Sequence, residues 1–358
     1  MKELRIGAIG VGGRGGLAWR VHNPEQKTFY VGGADVSEKG KAAFRKRFQE
    51  KHGEPFPEKW LVTDYRELLA RDDVDAVFVC TPDYLHEEHA VAALEAGKAV
   101  YLEKPMAITI EGCDRILRTA YETGSKLYLG HNMRYFESIL TMKKIIDSGD
   151  IGEVQAAWCR HFVSYGGDAY FKDWHAERRY STGLLLQKGA HDIDVIHWLA
   201  GGYTKQVVGM GQLSVYDKCE KRPADEPGNA RFQVENWPPL SQKGMNPLMD
   251  VEDHSMLLMQ LDNGVQASYL QCHYTPYPVR NYVFIGTEGS VENIGDSADA
   301  RILVHNRRRH DLEPDAVHPI TTGMGGHGGS DPRIVVAFID FVRDNVPPNT
   351  SPVAARYA

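Results

Sequence analysis

The chain has 358 residues, 42% of them hydrophobic, with 41 Lys plus Arg against 48 Asp plus Glu and a formal charge of −7. At about 150 residues per domain, this length predicts two domains. The apolar content excludes a disordered chain, the surplus of acids argues against a nucleic-acid binder, and no apolar run approaches the roughly 18 residues of a membrane span. The first residues, MKELRIGAIG, run straight into a glycine turn and do not read as a signal peptide. Cys80, Cys113, Cys159, Cys219 and Cys272 stand singly with no CxxC pair. The expectation is therefore reduced thiols in a cytoplasmic protein, with neither a disulfide framework nor a metal site.

Up to about residue 150, short apolar runs alternate with helical stretches. The runs are 4–9, 29–34, 76–81, 99–102 and 127–129; the helical stretches are 37–51, 64–71, 84–97 and 109–124. Near-continuous apolar strands separated by helices predict a parallel sheet covered on both faces, with ligands at the carboxyl edge of the strands. Beyond residue 150 comes a strand at 154–164, an aromatic and charged loop at 165–180, and a helix at about 184–200. Five β-like runs follow (205–215, 253–262, 264–274, 279–286, 289–294), with turns at Asp262-Asn263-Gly264 and Thr287-Glu288-Gly289. Successive β runs predict a second domain on a mostly antiparallel sheet. Residues 217–250, rich in proline, read as a long loop, a lid or an oligomer arm. A last helix is expected at 333–344.

Gly10-Val11-Gly12-Gly13-Arg14-Gly15 fits G-x-G-x-x-G, with a strand before it, a helix-compatible stretch after it and Asp35 at the end of the second strand. Such glycines permit a tight turn, close approach of a pyrophosphate to the backbone, and close packing of helix on strand. Asp35 would accept hydrogen bonds from ribose hydroxyls and repel a 2′-phosphate, which favours NAD over NADP. Thr81-Pro82, His86 at the start of the next helix, and Glu103-Lys104-Pro105 all fall at the same carboxyl edge. His86 and His89 are three apart, which is not the H-E-x-x-H spacing of a zinc site. In the later helix, Gln187, His191 and Asp194 fall at i, i+4 and i+7, on one face.

Taken together, the glycine motif, Asp35, Thr81-Pro82, Glu103-Lys104-Pro105 and Gly189-x-His191-x-x-Asp194 with Trp198-Leu199 resemble the Gfo/Idh/MocA family (glucose–fructose oxidoreductase, inositol dehydrogenase, rhizopine catabolism). The resemblance covers about residues 4–345. It implies an α/β protein: a doubly wound parallel Rossmann sheet over 1–132, then an α+β substrate and oligomerisation domain with a large, mostly antiparallel open sheet over 133–358. It further implies NAD(P)-dependent oxidation of a secondary hydroxyl on a sugar, glycoside or cyclitol, with C3 of a sugar one such position, and a homodimer or homotetramer formed through the C-terminal sheet. Family members commonly continue past the point where this chain stops.

The family's lysine and helix histidine carry over to Lys104 and His191. His191 is expected to take the hydroxyl proton, while Lys104 steadies the developing alkoxide. Many members carry an acid where this chain has Gln187, beside Lys188, so a swap that makes Lys104 the base stays open. Arg134, Trp174 and Gln187 are expected to touch substrate together with Lys104 and His191. Asp173, His175, Arg178, Arg179 and the glycine-rich stretch 323–329 with His327 are further candidates, while Arg307-Arg308-Arg309 reads as a solvated turn. Two alternatives stand beside the dehydrogenase: an NAD-recycling glycosidase that eliminates after transient oxidation, and a non-catalytic dinucleotide-binding regulator.

Overall fold

The computed structural model describes residues 2–296, 300–321, 323 and 326–358. Met324 and Gly325, within the glycine-rich stretch, lie outside them. The chain divides into two compact units: residues 1–132 with 330–356, and residues 133–329 with the last two residues.

The first unit holds β1 (Leu4–Ile9), β2 (Thr28–Ala34), β3 (Leu61–Val62), β4 (Ala76–Val79), β5 (Ala99–Leu102) and β6 (Leu127–Leu129), with helices α1 (Glu38–His52), α2 (Tyr65–Leu69), α3 (His86–Glu95) and α4 (Ile110–Thr123). All strands run parallel in the order β3-β2-β1-β4-β5-β6. This is the strand order of dinucleotide-binding sheets, in which the order reverses between β1 and β4 and opens a crevice at the carboxyl ends. β4 and β5 are buried at every position, as a sheet covered on both faces requires. Short β3 was not foreseen: two residues carry too little pattern to register. The helix expected after the glycine turn is a 3₁₀ segment, Gly13–Val21.

The second unit holds α5 (Glu137–Asp147), β7 (Val154–Phe162), α6 (Gly166–Tyr170), α7 (Arg178–Ser181), α8 (Ala190–Ala200) and seven more strands. These are β8 (Thr204–Gln212), β9 (His254–Leu261), β10 (Gln266–Cys272), β11 (Val279–Gly286), β12 (Ser290–Ile294), β13 (Arg301–His305) and β14 (Ala316–Pro319). The sheet order is β14-β13-β12-β11-β7-β10-β9-β8, antiparallel except where β10 runs parallel to β7. One face is buried against α5 and α8 by Met142, Ile145, Ile193, Val195, Ile196 and Leu199. The other face exposes Val208 and Met210 of β8 with Met256 and Leu258 of β9. The helix expected at 184–200 opens with a π-helical turn, Leu185–Gly189, before α8 begins.

The domain assignment needs one correction. Residues 133–358 were expected to form the second domain whole, but α9 (Ser330–Asp344) belongs to the first unit. Phe338, fully buried, packs edge-on against Phe78, Tyr101 and Tyr128 of β4, β5 and β6. Burying an aromatic of this size outweighs continuity along the chain.

Candidate functional site

The glycine turn sits at the carboxyl end of β1. Gly10 has φ of +83°, and a Cβ there would lie 2.8 Å from the Cys80 carbonyl oxygen; at Gly15 it would lie 2.0 Å from the Gly10 carbonyl oxygen. No side chain fits at either position. Gly12 and Gly13 are different: a Cβ at Gly12 meets nothing nearer than Asp35 Oδ2 at 3.9 Å, and one at Gly13 meets nothing within 4 Å. Their openness leaves the backbone approachable. Asp35 ties the end of β2 to this turn, accepting hydrogen bonds from Val11 N (3.0 Å), Gly12 N (3.3 Å) and Ser37 N (2.8 Å). A cavity of about 290 Å³ beside the turn is lined by Val11, Gly12, Gly13, Ser37, Lys39 and Arg47. An approachable turn, a carboxylate at the end of β2 and a cavity next to both fit a dinucleotide.

Further along the same edge, Glu103 is buried and pairs with Arg14 at 2.9 Å, while the same guanidinium reaches Asp331 of α9 at 3.1 Å. Burial works against the Arg14 charge, but Glu103, Tyr101 and Asp331 outweigh it and raise its pKa. The Arg14 and Glu103 side chains thus brace the turn against β5 and α9. Lys104 follows, its backbone N–H donating to Glu103 Oε2 at 3.2 Å, and the Lys104–Pro105 peptide is cis. His86 is 1% exposed and places its two ring nitrogens 2.9 Å from the Thr81 carbonyl and 2.6 Å from the Pro105 carbonyl. With both ring nitrogens against backbone carbonyls, His86 ties the Thr81-Pro82 turn to the segment carrying Lys104. Thr81 Oγ1 lies 3.0 Å from His89 Nδ1, and burial pulls the His89 pKa down to about 4.

In the second unit, His191 occupies the first turn of α8 and is half-buried, with buried Gln187 on the preceding π-helical turn. The expected third member of that face, Asp194, is committed elsewhere: its carboxylate takes a bidentate pair from Arg134 at 2.7 and 2.6 Å, with both residues buried. Arg134 also lies over the Trp198 ring at 5.1 Å. A guanidinium held in a buried fork-to-fork pair is a strut inside this unit.

Sequence reasoning missed the neighbour of His191. Asp192 is fully buried; Arg280 Nε and His161 Nδ1 each lie 2.9 Å from its carboxylate, Tyr269 donates its hydroxyl at 2.9 Å, and Tyr282 donates a further hydroxyl. Burial pushes the Asp192 carboxyl up, but Arg280, His161 and the hydroxyl donors overcome this and hold it well below the usual carboxylate range. His161 is pulled down by burial and by Arg280. Ser255, Gln271, His161 and Arg280 form one row across β9, β10, β7 and β11. Two residues beyond Gln271, His273 is also fully buried, with neither ring nitrogen hydrogen-bonded. The available signal was period-2 spacing: polar residues standing at the inward positions of otherwise apolar strands.

Trp174 is half-buried and stacks on His175 at 3.8 Å, while Asp173 accepts from the His175 ring at 2.6 Å. Arg178 reaches Glu252 at 2.7 Å and Arg179 pairs with Glu177, both on the surface. Lys188 lies 4.5 Å over the Tyr170 ring, and His327 lies 6.4 Å from Phe136.

Residues 4–131 match the family model described as an oxidoreductase family with an NAD-binding Rossmann fold, and residues 139–292 match the GFO/IDH/MocA C-terminal domain. The relative named oxidoreductase YteT, from Bacillus subtilis (strain 168), is 25% identical over 344 residues, 84% of this chain and 79% of its own. Inositol 2-dehydrogenase of Klebsiella pneumoniae subsp. pneumoniae is 38% identical over 137 residues, only 38% of either chain. Among solved structures, levoglucosan dehydrogenase in complex with NADH and levoglucosan superposes with a TM-score of 0.80 at 18% identity, over 99% of this chain and 94% of that one. That likeness speaks for the fold. With both domains matched in order, and with a glycine turn built to receive a dinucleotide, the chain belongs to the GFO/IDH/MocA family of NAD-dependent oxidoreductases.

Proposed function

We propose that this oxidoreductase removes hydride, reversibly, from the carbon that bears a secondary hydroxyl of a sugar, glycoside or cyclitol. The observation that carries the reading is the glycine turn, closed to side chains at Gly10 and Gly15 yet open over Gly12 and Gly13. Membership of the family and the names of the inositol and levoglucosan enzymes support the substrate class. Bound NAD supplies the hydride acceptor. His191 takes the hydroxyl proton; an imidazole is suited to this task near neutral pH. Lys104 donates hydrogen bonds to the oxygen as its negative charge develops. Gln187 hydrogen-bonds a second hydroxyl but cannot hold a proton. The Asp192 cluster fixes the start of α8, and with it the direction of the His191 ring.

The test is an NADH-absorbance screen of monosaccharides, inositols and glycosides with NAD and NADP in parallel, repeated with His191→Ala and Lys104→Ala. Each variant should lose about 10²–10⁴-fold in turnover while still binding NADH. Near wild-type turnover in either removes that residue from the reading.

The outer sheet face supports self-association: Val208, Leu258 and Trp158 lie in one row across the sheet, and all three are exposed. Such a face suits a two-fold interface between copies of this chain. Five free cysteines support a reducing, cytoplasmic setting. No helix among the described residues is long and apolar enough to cross a membrane.

A further inference from the structure

The excursion between β8 and β9, expected as a long loop, a lid or an oligomer arm, has hydrogen bonds and a small core of its own. Lys221 and Met245 form an isolated bridge, Arg222 N donates to Met245 O at 2.9 Å, and Asn246 N donates to Phe171 O at 2.8 Å. Tyr216, Cys219, Met245, Met249 and Val251 build a small core with Phe171. Below them the buried carboxylate of Asp168 is saturated: Lys172 Nζ and Asn236 Nδ2 each donate at 2.7 Å, and Gln233 N donates at 3.3 Å.

Above this anchor opens a cavity of about 460 Å³ whose wall carries Lys172, Arg222, Arg231 and Lys243 against a single acid, Glu226. In a chain of net charge −7 this is an unusual gathering of cations. Two of the four already have counter-charges, Lys172 with Asp168 at 2.7 Å and Lys243 with Glu220 at 3.1 Å. Neither arginine has a carboxylate within ion-pair distance among the described residues. Arg222 gives Nε to the Glu226 carbonyl at 2.8 Å, but its Nη1 is buried with no acceptor. A desolvated guanidinium donor left without an acceptor is costly, and folds keep such groups where an acceptor arrives from outside.

We infer that this cavity is a binding site for a phosphate group, carried by inorganic phosphate or by a small phosphate ester. Three acceptor oxygens at one tetrahedral centre match a planar guanidinium fork with a second cation beside it. The volume exceeds what a bare phosphate fills and leaves room for an organic remainder. None of the lining residues belongs to the glycine turn or to α8, so the site is independent of the redox reading. A bound phosphate would link Arg222, near the bridge at the base of the excursion, to Arg231 in its outer part.

The experiment is titration calorimetry on the full chain at fixed ionic strength, with sodium phosphate in one arm and glucose 6-phosphate in the other. Glucose and sodium chloride are the controls. Saturable binding is expected with one or both phosphates; a tighter ester identifies an organic ligand, and equal affinity identifies inorganic phosphate. Arg231→Gln, an exposed position, and the double variant Arg222→Gln/Arg231→Gln should weaken binding about tenfold or more, with NADH binding unchanged. Hydrogen exchange should show residues 220–245 protected by phosphate in the parent chain. Absence of saturable binding by either phosphate, an equal response to chloride, or undiminished binding in Arg231→Gln would overturn the inference.

Discussion

Asp192→Asn keeps the side chain's shape and removes its charge. In the folded chain Asp192 has no exposed surface, and its partners are nearly as enclosed, with side-chain exposures of 14% for Arg280 and 8% for His161. The substitution therefore strands the Arg280 charge inside the second unit, and breaking one end of such a pair typically costs about 3–5 kcal/mol. For a unit of roughly 200 residues, each kcal/mol moves the melting temperature by about 2–4 °C, so the expected fall is about 6–20 °C. The assay is calorimetry or near-ultraviolet melting, with Arg280→Met added to Asp192→Asn as the second variant. Removing the stranded cation should restore part of the loss, because the pair's partners are coupled. Turnover should fall with the single substitution, since α8 carries His191, while NADH binding in the other unit holds. A melting temperature within about 1 °C of the parent would refute the reasoning, as would additive losses in the double variant.

Gly12→Ala and Gly15→Ala should separate binding from folding. A Cβ at Gly12 has open space, with its nearest neighbour at 3.9 Å, so that variant should melt like the parent yet bind NADH at least about tenfold more weakly by fluorescence titration. A Cβ at Gly15 lies 2.0 Å from a backbone oxygen, so that variant should lose both stability and NADH binding. Unchanged NADH affinity in Gly12→Ala would refute the proposed approach of the pyrophosphate. Acid should weaken both units through buried histidines, among them His89 and His197, whose pKa values burial lowers from 6.5 to about 4. Both stay neutral in the folded chain, whereas the unfolded chain takes up the proton first. Stability is therefore full above pH 6.5, declines as the pH falls from 6.5 to 4, and levels off below, by about 3 kcal/mol for each histidine. Urea midpoints measured across this range should show the decline, and His197→Gln should make it shallower for the second unit, where burial also lowers His161 and His273; parallel curves for parent and variant would refute the assignment.

What could be read from the chain beforehand was what depends on near neighbours. The glycine turn, Asp35 and the strand ends carrying Thr81 and Lys104 each follow from a few adjacent residues, because turn sterics and helix N-termini are local. The site in the second unit depends on distant partners. In His191-Asp192-Ile193-Asp194 two acids stand two apart on a helix, about 200° around its axis. Nothing nearby says that Asp194 turns to Arg134, 60 residues earlier, or that Asp192 turns to Arg280, far down the chain. Strands β13 and β14 escaped notice for another reason. They are short, and the arginine-rich turn between them, where Arg309 pairs with Asp315 at 2.6 Å, hides the hairpin within a polar stretch.

The return of α9 to the first unit also has a consequence during synthesis. The aromatic cluster of Phe78, Tyr101 and Tyr128 lacks its cover until Phe338 has been made. At about 5–20 residues per second, the ribosome needs roughly 10–40 s to travel from residue 132 to residue 330. Over that interval the nascent sheet carries a bare aromatic flank, and residues 133–329 of the second unit are all made before the first can close.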